Sequence, residues 1–366
     1  MDDEMDIDWF QVSNPDVVDS PGLVVDIDRV TENIAKMVAM VDGDADRLRP
    51  HVKTHKMPTI VQLQIDAGIK RFQTAPLAET EMVAEAGGAD ILLAHQVVGP
   101  KVDRLKKLVG RYPDTSFATI VDDIVVVETI ASKFDAAKPI RLFVDIDCGM
   151  KRTGTKLGSK CEALIRSIES HDAVQFAGLH VYDGHLHQPS LEERQAAAGD
   201  IIIAVRKYAQ QYPDAEIVGG GSPTFGMWAG QTDWQCSPGT PVFWDVGYAT
   251  AYSELEFKIA AAMLTRVISK PGKGQLCFDL GYKSVSSEMD LEHRVTFPEI
   301  PDAKLVGHSE EHLVVWTEMA DQISVGQAFL AFPRHICPTV ANHAFATVVR
   351  WGNATREALW VTARDR

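Results

Sequence analysis

Over roughly the first two-thirds of the chain, short apolar and β-branched runs alternate with stretches in which apolar residues recur every three or four positions. That alternation predicts parallel strands joined by crossover helices. The strand-like runs are Leu23–Ile27, Arg47–Val52, Arg71–Thr74, Ile91–His95, Ser116–Val121, Ile140–Asp147, Val174–Tyr182, Ala215–Gly219 and Asp233–Ser237. Between the first two, Val30, Ile34, Met37, Val38 and Val41 repeat at helical spacing, predicting a helix over Asp28–Val41 behind a capping aspartate. The runs outnumber the strands of a (β/α)8 barrel by one. A TIM-type barrel over residues 24–250 is still the expected architecture, because polar residues collect at the C-terminal ends of the runs: His51 and Lys53, Thr74, His95, Asp122, Asp147, His180, Tyr182 and Asp183. Barrels build their active sites on that face.

After about Thr250 the pattern changes. Leu264–Lys270, Gln275–Gly281, His312–Glu318, Phe329–Pro333 and Ala344–Trp351 are strand-like with little helical periodicity between them, which predicts a second, mainly antiparallel β domain. The whole is therefore an α/β chain of 366 residues, long enough for two cores.

Composition narrows the function. A formal charge of −15, with no basic stripe carrying interleaved aromatics, argues against nucleic acid as a partner. No apolar run approaches the roughly 20 residues a membrane span needs. Met1–Asp8 is acidic and lacks the basic and apolar regions of an export signal, so a cytoplasmic location is expected. The cysteines, Cys148, Cys161, Cys236, Cys277 and Cys337, are scattered and odd in number, which fits free thiols or a metal ligand better than a disulfide framework.

The chemistry starts at Arg49-Pro50-His51-Val52-Lys53-Thr54-His55-Lys56. A lysine that is desolvated or set among positive charges has its amine free near neutral pH, so Lys53 is a candidate Schiff-base nucleophile; the alternative is a basic surface turn. Val218-Gly219-Gly220-Gly221-Ser222-Pro223-Thr224 and Ser237-Pro238-Gly239-Thr240 follow late runs, where exposed backbone N–H groups and hydroxyls make an anion nest. Together the two loops point to a phosphorylated cofactor. With no Walker lysine and no GxGxxG before a helix, that cofactor is not expected to be a nucleotide. Arg152 and Tyr182 follow two further runs and could engage an aromatic ring, or be a surface cation and a strand-end aromatic. His180, His185 and His187 cluster after Val174–Tyr182, and at least one is a candidate for proton transfer. In the second domain, His335-Ile336-Cys337 would present imidazole and thiol on one face of an extended strand, enough to bind a divalent ion with open positions left for water and substrate. His312, in Ser309-Glu310-Glu311-His312, belongs to the same site or is merely exposed.

These motifs, in this order, resemble the D-threonine aldolase and D-serine dehydratase family of fold type III pyridoxal-phosphate enzymes, from about Asp19 to the C-terminus. The resemblance implies an alanine-racemase-like barrel in which residues 1–23 join 251–366 in the β domain, removing the surplus strand. It implies Lys53 as the Schiff-base lysine, with pyridoxal 5'-phosphate held by Lys53, Arg152, His180, Tyr182, Gly220, Gly221, Ser222, Gly239 and Thr240. His335 and Cys337 match the metal ligands. His187, aligned with a one-residue gap, matches the histidine that assists the substrate hydroxyl, with His185 the alternative. The implied ion is manganese, magnesium or zinc, the implied substrate a small D-β-hydroxy amino acid, and the implied assembly a homodimer. Cys337 stands where the aldolases carry aspartate and the dehydratases carry cysteine, and thiolate is the softer ligand. The motif at that position leans to dehydratase, the rest of the chain to aldolase.

Overall fold

The computed structural model describes residues 7–365; Met1–Asp6, part of the acidic N-terminus read above, and Arg366 lie outside it. The chain forms two compact units. One comprises residues 37–53 and 58–239 with the last residues of the chain; the other comprises the N-terminal residues to 36, residues 54–57 and 240–362.

The first unit is built on seven parallel strands: β2 (Arg71–Thr74), β3 (Asp90–Leu93), β4 (Ser116–Val121), β5 (Ile140–Asp145), β6 (Val174–Val181), β7 (Glu216–Gly219) and β8 (Gln235–Cys236). They are ordered as they occur in the chain, as right-handed β–α crossovers require. The barrel interior is filled by Leu92, Ala118, Ile120, Phe143, Ala177 and Val218. The expected strand Arg47–Val52 does not form. Instead Leu48 bridges Cys236 and His51 bridges Gln73, so this segment spans the two edges of the sheet and closes the barrel by isolated bridges. The reason is Pro50, which offers its carbonyl to Gln73 N–H (3.0 Å) but has no N–H of its own, so a continuous ladder cannot run through it. Short 3-10 turns, Ala45–Arg47 and Val52–Thr54, flank it.

Arg49 lies fully buried at the N-terminal end of the strands. Its guanidinium forks onto Asp90 (2.9 and 3.0 Å) and its Nε–H donates to Gln235 Oε1 (2.7 Å). Burial alone would raise the pKa of Asp90, yet Arg49 and Arg141 hold it below the ordinary carboxylate range. A paired buried charge of this kind specifies the barrel's closure rather than its chemistry.

The surplus run of the sequence belongs to the second unit. β1 (Gly22–Asp26) lies between β9 (Ala261–Ser269), antiparallel to it, and β15 (Phe345–Arg350), parallel to it. The sheet is completed by β10 (Gln275–Phe278), β11 (Val295–Thr296), β12 (Lys304–His308), β13 (Leu313–Trp316), β14 (Ala328–Pro333) and β16 (Asn353–Trp360). The mainly antiparallel domain is thus present, with one parallel pair. β16 has no strand-like signal in the sequence because, as an edge strand, it buries only Ala354 and Leu359. The helix after β1 runs Ile27–Met40 and buries Val30, Ile34 and Met37 as the periodicity required. Its capping carboxylate is Asp26, whose Oδ1 accepts from the N–H groups of Asp28 and Arg29 (both 3.1 Å).

Candidate functional site

In the barrel unit, Lys53, Arg152 and Tyr182 come together at the C-terminal ends of the strands. Lys53 sits in the 3-10 turn after the closing segment, and its backbone N–H donates to His51 Nδ1 (3.2 Å), so the neutral His51 ring carries its proton on Nε2. The Lys53 ammonium lies 5.5 Å from the centre of the Tyr182 ring, and the Arg152 guanidinium 5.1 Å from the same centre. Two cations against one ring use its negative face and leave their N–H groups for an anionic ligand. The ring is seated by Gly184: a Cβ there would fall 2.2 Å from Tyr182 Cζ.

The glycine loop after β7 is held from below. Gly220 adopts φ +81, and a Cβ on Gly219 or Gly220 would meet the Trp228 indole at 2.0 or 2.7 Å. Asp183, the next residue after Tyr182, is buried and accepts from Trp228 Nε1–H (2.7 Å) and from the Thr224 hydroxyl (2.9 Å). Thr224 Oγ1 in turn accepts from Gly221 N–H (3.1 Å). Burial pushes the Asp183 pKa up, against the hydrogen bonds of Trp228 and Thr224. The second loop is tied to the first by Gly239 N–H to Ser222 Oγ (3.4 Å) and by Ser237 Oγ to Gly220 O (3.1 Å). The result is a narrow, side-chain-free cradle bordered by hydroxyls, which fits a phosphate group.

His180 is nearly buried. Its Nδ1–H donates to Asp145 Oδ1 (2.7 Å), and its Nε2 lies 3.3 Å from the Gln73 amide nitrogen. Burial works to raise the Asp145 pKa, but His180 and the Thr153 hydroxyl (2.8 Å) carry it below the ordinary range. His185 packs against Gly149, and its Nδ1 is buried with no hydrogen-bond partner among the described residues. His187 is exposed. The Cys148 thiol, 3.3 Å from Tyr182 O, is pushed up to about 12 by burial and nearby carboxylates and is inert.

The second unit brings His335, Cys337 and Thr240 together, in a different way from the sequence expectation. The His-Ile-Cys triad is not on a strand: β14 ends at Pro333, His335 is the N-cap residue, and Ile336–Val340 is a short helix. Pro338 is tolerated because first-turn N–H groups have no helical partner to lose. Asp245 dictates the turn. Its carboxylate accepts from Ile336 N–H (3.1 Å) and also caps the helix Val246–Ala251 through Tyr248 N–H (3.0 Å). Burial raises the Asp245 pKa to about 6.

Cys337 Sγ lies 3.3 Å from Thr54 Oγ1 and 3.8 Å from Thr240 Oγ1. Burial opposes its thiolate, but the hydrogen bond and charge of His335 bring the pKa below the usual thiol value. Burial likewise opposes the His335 imidazolium, while Cys337, Asp245 and Glu288 raise it to about 9. His335 Nδ1 is hydrogen-bonded to the Glu288 carboxylate. A carboxylate on the Nδ1 of His335, and a cysteine two residues on, whose thiol that imidazole draws toward the thiolate, are the donor chemistry of a metal ligand pair with its outer support. Among the described residues no group of three or more His, Cys, Asp or Glu side chains could hold an ion, so this pair would share it with water or a ligand. His312 is exposed in the turn between β12 and β13, whose flanking Glu310 and Glu311 pair with Lys283.

Sequence reasoning passed over Asp145, Asp245 and Glu288. Only Asp145 left a signal, standing two residues before Asp147 at a strand end; the other two act across distances no local pattern encodes.

Comparison with known proteins follows the same division. The alanine racemase N-terminal domain family matches residues 25–244, and a serine dehydratase domain family matches residues 260–349. A D-threonine aldolase from Arthrobacter sp. is 29% identical over 95% of this chain and 93% of its own length. A D-threo-3-hydroxyaspartate dehydratase from Delftia sp. (strain HT23) is 26% identical over 88% of this chain and 92% of its own. The crystal structure of D-threonine aldolase from Filomicrobium marinum superposes with a TM-score of 0.86 at 26% identity, covering 97% of this chain and 98% of that one. The resemblance carried by the motifs is thereby borne out.

Proposed function

The chain belongs to the family of alanine racemase N-terminal domains and is a lyase, and from that premise we propose that it is a D-threonine aldolase, cleaving D-threonine or a related D-β-hydroxy-α-amino acid to glycine and an aldehyde. The observation that carries this reading is the Lys53 amine beside Tyr182 and Arg152 in the unit that also holds the glycine cradle. Pyridoxal phosphate, when bound, supplies an aldehyde for an amine and an electron sink for the pair released at Cα. Lys53 is the amine that would hold it between turnovers. Gly220, Gly221, Ser222, Gly239 and Thr240 would receive its phosphate, and Arg152, Tyr182 and His180 would orient its ring. His335 and Cys337 would hold a divalent ion, a Lewis acid for the substrate hydroxyl.

His187, exposed to solvent, would take the proton of the β-hydroxyl. As that O–H bond breaks, the C=O of the aldehyde forms and the Cα–Cβ pair is released toward Cα, which then gains a proton to give glycine.

The alternative is a D-serine or D-3-hydroxyaspartate dehydratase, which the cysteine at position 337 favours. There Lys53 would remove the α-proton and hydroxide would leave from Cβ, and water would then hydrolyse the resulting enamine, as its imine tautomer, at the C–N bond to give a 2-oxo acid and ammonia. Incubating D-threonine with enzyme, pyridoxal phosphate and manganese or zinc separates the two: acetaldehyde plus glycine supports the aldolase, and a predominance of 2-oxobutanoate plus ammonia overturns it. A homodimer is part of the proposal, and sedimentation equilibrium tests it.

A further inference from the structure

Arg152 is exposed, and packing does not hold it in place. Its position comes from the loop 147–155 that carries it, and that loop is fixed at several points. Asp147 Oδ1 accepts from Gly149 N–H (3.0 Å) and Lys151 N–H (2.9 Å), closing the first half on itself. Asp145 Oδ2 accepts from the Thr153 hydroxyl (2.8 Å), and Thr155 N–H returns to Asp145 O (2.9 Å). All of these partners lie on β5 or on the loop itself. Two anchors do not: the Cys148 thiol, at the start of the loop, donates to Tyr182 O after β6 (3.3 Å), and Asp122, just after β4, accepts Gly154 N–H on Oδ2 near Arg152 (2.8 Å). Asp122 is itself held, because its backbone N–H donates to Gln96 Oε1 (2.8 Å) from the segment after β3. A line of hydrogen bonds thus crosses three successive strand ends, Gln96 to Asp122 to Gly154, and stops two residues from Arg152.

We propose that Asp122 is a positioning residue for Arg152: by gripping Gly154 N–H from the neighbouring strand it fixes where the guanidinium stands over Tyr182, and so how tightly the barrel holds its anionic cofactor. The local bonds of Asp145 and Asp147 shape the loop but move with it. Only an acceptor on another strand end can fix the loop against the rest of the barrel; Tyr182 O does so at Cys148, four residues before Arg152, and Asp122 at Gly154, two residues after it. The inference rests on the reading that the barrel binds pyridoxal phosphate, and its test is arranged so that the two can fail separately.

The test measures the dissociation constant of pyridoxal phosphate by absorbance titration for the full-length wild type, Asp122→Ala, Asp122→Asn, Arg152→Ala and the double variant D122A/R152A. Amide hydrogen exchange of the loop is followed in the same proteins without cofactor. Removing the acceptor should weaken cofactor binding about tenfold, the effect of losing one hydrogen bond to a charged group. D122N keeps an oxygen for Gly154 N–H and should stay within about threefold of wild type. Faster exchange at Gly154 is expected in D122A and in D122A/R152A, and not in D122N or R152A. In the R152A background the D122A change should add nothing, because the residue it positions is gone. Equal affinities of wild type and D122A, or an undiminished D122A effect in the R152A background, would overturn the positioning role. A wild type that binds no pyridoxal phosphate would remove the reading of the site and the proposal with it. Should D122A fail to fold, Gln96→Ala replaces it: Asp122 then stays but loses its anchor, and a loss of about threefold that vanishes with R152A is expected, against no loss if the idea is wrong.

Discussion

Replacing Asp183 with alanine removes the one acceptor shared by two buried donors. Trp228 Nε1–H (2.7 Å) and the Thr224 hydroxyl (2.9 Å) both point at its carboxylate, which is 1% exposed, so water cannot take its place. Each orphaned buried donor costs about 1–3 kcal/mol, or about 2–6 kcal/mol for the two, and the Thr224 hydroxyl recovers part of its share by turning to Gly221 O (3.4 Å). Relief from burying a carboxylate without a cation works the other way, which places the expected loss in the lower half, about 2–4 kcal/mol. Urea unfolding followed by far-ultraviolet circular dichroism should show a lower midpoint for D183A. Thr224→Val, similar in volume, removes one of the donors and also the acceptor of Gly221 N–H. The sum of the two single losses should therefore exceed the loss in D183A/T224V by about 1 kcal/mol, since their common hydrogen bond is counted twice. Additive losses, or a D183A midpoint equal to wild type, would refute the view that Asp183 holds up the glycine loop.

Two further outcomes follow from the second unit. Burial pushes the His55 pKa down to about 3 from an unfolded value of 6.5, with its Nδ1 accepting from Met57 N–H (3.1 Å). Because the folded value is the lower one, His55 contributes stability that is complete above pH 6.5 and is lost as pH falls toward 3, at about 1.4 kcal/mol per pH unit. His55→Asn, which retains an acceptor for Met57 N–H, should flatten the acid limb of a stability–pH curve between those values; an unchanged limb would contradict the assignment. Glu288→Ala takes away the carboxylate on His335 Nδ1 and should weaken zinc or manganese affinity, measured by calorimetry, about 10- to 100-fold. Affinity equal to wild type would show that Glu288 does not support the ligand.

Much of this protein was legible along the chain. Periodicity located the barrel strands to within a few residues, since a strand buried on both faces and a helix with one apolar stripe leave different spacings. Lys53, the glycine loops and the His335–Cys337 pair stood out because the residue types that a nucleophile, an anion nest or a metal site would need lie close together in sequence. The closing segment of the barrel was misread as a strand because an apolar run reports burial, while the backbone at Pro50 decides whether a ladder can form. The His335–Cys337 pair was placed on a strand because nothing near it announces that Asp245, 90 residues earlier (335 − 245), turns the chain into a helix there. Local composition thus determined which groups could do chemistry and roughly where the elements lie. Which strand left the barrel, and which carboxylates hold Arg152, His335 and the glycine loop in place, depends on hydrogen bonds between distant segments, and these exist only once the chain has folded.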